Sequence, residues 1–154
     1  MPRTRRTRTI AAPVQQVWEI VRDPHHLPRW WPRVERVEDV SADAFTEVMR
    51  TSKGRVVRAD FERLRADEAE RALSFCQRVE GTPFARVLRS AETEMRVSAV
   101  ASPDPATIAE ATAVTIEVRQ ALSGFFPRFG GFMVSRAAAA TLDDALDGLE
   151  RISA

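Results

Sequence analysis

The chain has 154 residues, 44% of them hydrophobic, and its 23 Lys plus Arg nearly cancel 22 Asp plus Glu to leave a formal charge of +1. That length and apolar share suit a single domain over residues 1–154, with one core and a modest cavity. The charge balance argues against a strong nucleic-acid or membrane-surface field, and no apolar run approaches the roughly 20 residues of a membrane-spanning helix.

Residues 3–10 alternate Arg and Thr, which predicts a first strand with arginines along a wet face. Pro13 suits a first helical turn, and Val14, Val17, Trp18 and Val21 follow on one helical face. Asp23-Pro24 restarts the chain as cap plus first turn, and Pro28 and Pro32 keep this second helix very short. From Val34 to Leu122 the period becomes two. Phe61 alternates with Asp60 and Glu62. Leu73, Phe75, Gln77 and Val79 alternate with polar neighbours and Cys76, as do Met95, Val97 and Ala99, and then Val114, Ile116 and Val118. Turn-forming breaks fall at 52–54, 67–70, 81–83 and 102–105, and the stretch is read as six consecutive strands, a meander that the first strand joins. After Gly124 the period changes to that of one long helix from about Pro127 to Ile152. Val134, Ala138, Leu142, Ala145, Leu146, Leu149 and Ile152 form its apolar stripe.

These elements make an α+β domain in which a one-sided sheet must cover its apolar face with the long helix. One helix cannot cover seven strands unless the sheet curls around it. The helix's C-terminal half carries Leu142, Leu146, Leu149 and Ile152 and can fill a core. Its N-terminal half offers Gly131, Ser135 and Ala137 to Ala140, so space is expected beside the sheet, lined by Phe, Met and Val as small-molecule pockets are. Large sheet residues filling that gap would leave no cavity. Four Phe and a Met between Gly124 and Met133 form either a flexible hydrophobic rim or a loop anchoring the helix.

The stretch Ile10-Ala11-Ala12-Pro13-Val14-Gln15-Gln16-Val17-Trp18, then Asp23-Pro24, then Leu27-Pro28-Arg29-Trp30-Trp31-Pro32-Arg33-Val34, resembles the opening of the START-like, or SRPBCC, superfamily, closest to its polyketide cyclase/dehydrase branch. The resemblance extends to element order over nearly the whole chain. It implies a helix-grip fold: a curved seven-stranded antiparallel sheet wrapped around a long C-terminal helix, with two short helices after the first strand. It also implies a deep cavity between sheet and helix. Members of the superfamily bind lipids, sterols or polyketides, some close or dehydrate aromatic rings, and others act as interaction modules, so the fold does not choose among activities.

The residues expected to line such a cavity follow from strand register and the helix stripe. Trp30 and Phe129 come from the flanking segments, Phe61, Phe75, Met95, Val97 and Val118 from the sheet, and Val134 and Ala138 from the helix. Gln77, Thr93 and Gln120 share a strand face with apolar partners and could orient a ligand carbonyl or hydroxyl. Arg63 shares the side of Phe61 and could stabilise an enolate, so Arg63, Gln77 and Gln120 are the catalytic candidates. The alternative for each of these polar residues is a place in water at a strand terminus, the favoured reading for Arg63. The chain has no Tyr. His25 and His26 lie beside Pro24 without Cys or carboxylate partners at ligand spacing, so neither a metal nor a cofactor is expected. Phosphate-loop and nucleophile-elbow motifs are missing. Lys53 is the sole lysine, and the arginines alternate with acids along most segments, the mark of GC-rich codons rather than of a nucleic-acid surface. Cys76 stands alone, which excludes an intrachain disulfide and fits a reducing compartment. Arg5-Arg6 is followed by too short an apolar run for an export signal, so a cytoplasmic location is expected. Three readings remain open: a carrier of a small hydrophobic ligand, a cyclase or dehydratase, and a protein-interaction module or homodimer.

Overall fold

Seven extended runs form seven antiparallel strands in the computed structural model, which describes residues 2–102, 104, 106, 110–124 and 130–153. They are β1 (Arg3–Ile10), β2 (Val34–Glu38), β3 (Ala44–Arg50), β4 (Val56–Asp67), β5 (Ala72–Gln77), β6 (Leu88–Val100) and β7 (Ala111–Leu122). Their order across the one curved sheet is β1-β7-β6-β5-β4-β3-β2, so β2 to β7 run as a meander and β1 closes against β7. The expected turns at 52–54 and 67–70 fall between β3 and β4 and between β4 and β5. Pro83–Arg86 adds a 3₁₀ turn between β5 and β6.

Between β1 and β2 lie two short helices, α1 (Val14–Val21) and α2 (Leu27–Trp30). Pro13 is the N-cap of α1 in extended conformation, where its missing N–H costs nothing. The Asp23 carboxylate accepts from the His25 backbone N–H at 3.0 Å and starts the turn Pro24–His26 that leads into α2. The long helix α3 runs from Gly130 to Ser153, and residues 127–129 of the expected helix lie outside the described residues.

The concave face of the sheet holds the core. Leu142, Ala145, Leu146 and Leu149 of α3 pack against Met95, Val97, Val114 and Ile116 of β6 and β7, with Val17, Trp18 and Trp30 closing the other side. Each such leucine, fully buried, is worth about 1.5–3 kcal/mol of transfer free energy. Gly148 permits the closest approach in this core: a Cβ there would lie 2.5 Å from the carbonyl oxygen of Trp30, so only glycine lets α3 seat on α2. Arg6 reaches Asp143 at 3.2 Å, and Arg8 reaches Asp147 at 2.9 Å and Glu150 at 3.1 Å, tying β1 to the outer face of α3. On the other side of the sheet, arginines pair with acids along and across strands, among them Arg96 with Glu94, Arg119 with Glu117, Arg58 with Glu38 and Arg78 with Glu62. About half of the arginines thus pair with acids of the same chain.

Candidate ligand cavity

Where α3 changes from bulky to small residues, it stops filling the sheet. Between Val134, Ala137, Ala138 and Thr141 on the helix and the concave face of β3 to β7 lies a cavity of about 510 Å³. Leu142 marks the boundary, since it lines the cavity and is also fully buried in the core. The third wall comes from Pro83, Phe84, Val87 and Leu88, around the 3₁₀ turn that precedes β6.

Pairing register explains which sheet residues share this wall, because residues directly opposite one another point to the same side. Phe45, Phe61 and Gln77 form one row across β3, β4 and β5, and Phe75, Thr93 and Val118 form the next across β5, β6 and β7. The three Phe rings make a cluster. Phe45 stacks on Phe61 with centroids 5.2 Å apart, and Phe75 meets them edge-on at 5.3 and 5.4 Å. These rings give the wall a rigid aromatic base.

Of the residues singled out from sequence, Phe61, Phe75, Gln77, Thr93, Val118, Gln120, Val134 and Ala138 line the cavity. Four do not. Met95 and Val97 lie one and two rows further along β6, under the bulky half of α3, at 1% and 2% exposure. Trp30 is buried beneath α3, and its neighbour Trp31 lines the cavity instead. The two indoles pack edge-on at 5.4 Å. Arg63 does keep to the Phe61 side of β4, opposite Phe75, but it lines a separate groove with Trp18, Arg22 and Glu68. There the Trp18 indole N–H donates to Glu68 at 2.7 Å and holds that carboxyl below its ordinary range. Phe129 lies outside the described residues, as does the rest of 125–129; of the rim beyond it, Phe132 and Met133 are exposed.

The ionisable residue of the cavity wall was not among the residues expected from sequence. Glu47 sits on β3 between Phe45 and Met49, and is 4% exposed. Burial pushes its carboxyl up to about 8, with no opposing hydrogen bond or charge. At neutral pH it therefore carries its proton. The signal was available: Phe45, Glu47 and Met49 recur at period two, so a sheet that buries Phe45 must turn Glu47 inward as well. Gln77 adds a second polar group, whose buried Nε2 has no hydrogen-bond partner among the described residues. On the opposite face of β5, burial raises the Cys76 thiol, which makes it a poor nucleophile. Among the described residues no cluster of His, Cys, Asp and Glu could hold a metal ion, and no helix is long and apolar enough to cross a membrane.

Solved structures share this architecture. The di-domain aromatase/cyclase BexL of the BE-7585A biosynthetic pathway superposes with a TM-score of 0.78 at 22% identity over 98% of this chain and 46% of that one. XoxI of Bacillus cereus gives 0.76 at 14% identity, covering 99% and 96%. The ZhuI aromatase/cyclase of Streptomyces sp. R1128 gives 0.75 at 19% identity, covering 98% and 92%. At these identities the likeness is one of fold. No curated protein matches the chain significantly. The model of one family, described as polyketide cyclase/dehydrase and lipid transport, matches residues 1–153, and the chain belongs to that family.

Proposed function

We propose that the chain is a cytoplasmic binding or carrier protein for a small hydrophobic molecule, a lipid, a polyketide or an aromatic compound, held between the sheet and the N-terminal half of α3. The observation that carries this reading is the 510 Å³ space itself, walled by three Phe, Trp31, Met49 and small helix residues. It falls within the size range of small-molecule sites, and its wall has their character: mostly apolar, with a few polar groups. A free Cys76 is compatible with the cytoplasm.

A second reading, cyclisation or dehydration of a polyketide-like substrate, is favoured by the presence of Glu47, Gln77 and Gln120 in that wall. A protonated carboxyl in an apolar site is suited to general-acid work.

The test is native mass spectrometry of freshly purified protein, followed by fluorescence titration with 2-acetylnaphthalene. Wild type should bind the probe. Ala138→Trp, which places an indole into the space from α3, should abolish binding with the fold intact by circular dichroism. Equal affinity in wild type and Ala138→Trp would refute the cavity reading. Turnover of a poly-β-keto substrate that stops on Glu47→Gln substitution while binding persists would favour the enzyme.

A further inference from the structure

Among the described residues, Glu47 is the sole ionisable side chain in the cavity wall. Its direct neighbours across the strands are Val37 of β2 and Ala59 of β4, and along β3 its side chain is flanked by Phe45 and Met49. From the remaining walls the cavity receives Trp31 after α2, Thr141 and Leu142 of α3, and among the described residues no charged group acts on the carboxyl. A structural carboxylate in such a place would be paired with an arginine, and no arginine lines the cavity among the described residues. Instead the group is neutral, buried and unpartnered, which costs stability unless something else takes its hydrogen bond.

Gln77 repeats the pattern. It stands in the row of Phe45 and Phe61, one step along the sheet from the row that contains Glu47 and Ala59. Ordinary sheet spacing puts the two side chains' Cα atoms about 10 Å apart across the strands and about 7 Å along them. Both line one space; the buried Gln77 Nε2 has no hydrogen-bond partner among the described residues, and desolvation alone acts on the Glu47 carboxyl.

We infer that Glu47 is the polar anchor of the cavity, donating its carboxyl proton in a hydrogen bond to an acceptor oxygen, such as a ketone or quinone carbonyl, on an otherwise apolar ligand, with Gln77 as a second donor on the same wall. The inference rests on the reading of the cavity as a hydrophobic ligand site. It adds the chemistry that selects the ligand. A purely hydrocarbon guest would leave both donors buried and unsatisfied. A carboxylate-bearing guest would be satisfied by two neutral donors but would find no cation in the wall to balance its charge.

The experiment uses three probes of one skeleton: 2-acetylnaphthalene, the shape-matched 2-isopropenylnaphthalene and the cationic 1-(2-naphthyl)ethylamine. Each is titrated into wild type, Glu47→Gln and Glu47→Met at about pH 6.5 and about pH 9.5. The readout is the ketone-to-alkene affinity ratio of wild type relative to that of Glu47→Met. At the lower pH it should be about threefold to tenfold, the fold-change expected of one net hydrogen bond. In wild type the ratio should collapse at the higher pH, once the proton is gone. Glu47→Gln keeps an N–H donor but cannot ionise, so it should retain the ketone preference at both values. If ketone and alkene bind wild type with the Glu47→Met ratio at both pH values, the anchor is refuted while the cavity stands. Tighter binding of the amine than of the ketone at the lower pH would also refute it, in favour of an ion pair. If none of the probes binds wild type, the cavity reading fails and the inference with it. Should Glu47→Met not fold, the pH dependence of wild type against Glu47→Gln decides the question alone.

Discussion

Replacing Glu47 by Gln removes one ionisable group from the interior and leaves the shape of the cavity almost unchanged, so it isolates what burial of that carboxyl does to the fold. Its carboxyl is raised from 4.5 to about 8 in the folded chain. Between those values the folded protein holds a proton that the unfolded chain has released. Stability therefore falls as pH rises through this window: the contribution is complete below the unfolded pKa and is lost as the pH approaches the folded one. Each unit is worth about 1.4 kcal/mol, so the full shift amounts to about 5 kcal/mol, a large part of a typical domain's total. Urea unfolding of wild type and Glu47→Gln, followed by Trp fluorescence in steps from about pH 4.5 to pH 9, gives the difference curve in which all other groups cancel. Wild type should lose ground against the variant by about 1.4 kcal/mol per unit between about pH 5 and 8, and the two should then run parallel. Glu68 and Glu117 are held below the ordinary range by hydrogen bonds from Trp18 and Arg119. Their stabilisation is present above the ordinary value and is lost as pH falls through their folded values, so they act below this window. A difference curve that is flat from pH 5 to 8 would refute the burial of Glu47 as a neutral acid.

Gly148→Ala should lower the urea midpoint, because overpacking against the Trp30 carbonyl costs about 1–3 kcal/mol whereas the helix-propensity gain is about 1 kcal/mol. A raised melting temperature would show that α3 and α2 are not in backbone contact. Trp30→Ala should cost about 3–5 kcal/mol of stability, as expected for a large residue lost from a core. Trp31→Ala should cost markedly less in the same unfolding assay and instead weaken 2-acetylnaphthalene binding, so the pair separates core from cavity wall.

The Arg and Thr alternation of β1, the period of two along β4 to β7, the turn-forming breaks and the 3.6-residue stripe of α3 together pointed to a seven-stranded meander and the helix that covers it. They gave the facing of side chains but not their position along the strand. Thr93, Met95 and Val97 all face inward on β6, yet only Thr93 reaches the cavity, because the bulky turns of α3 cover the other two. Arg63 fails for the same reason at the other end of β4, where α1 intervenes. The Trp pair was misassigned for a different cause. The helix α2 ends at Trp30, and Trp31 is already extended at φ −82° and ψ 128°. The direction of its indole is then set by the chain leaving the helix, which helical spacing cannot report. Glu47 is hard to read from sequence because a charged residue in a strand ordinarily marks the wet face, whereas β3 turns it inward beside Phe45.

The same helix thus does two jobs with opposite packing requirements, and the polar groups in its shadow make them compatible. The space is partly open to solvent, and polar groups in its wall that can bind water keep it from being a void. Glu47, Gln77, Thr93 and Gln120 supply those groups around the cavity. Water held by so few donors and acceptors is readily displaced by an apolar body, provided the incoming molecule replaces the hydrogen bonds to the buried ones. Hydration without ligand and selectivity for an oxygen-bearing apolar ligand then come from the same side chains, so apolar substitution at Glu47 should make the chain less discriminating.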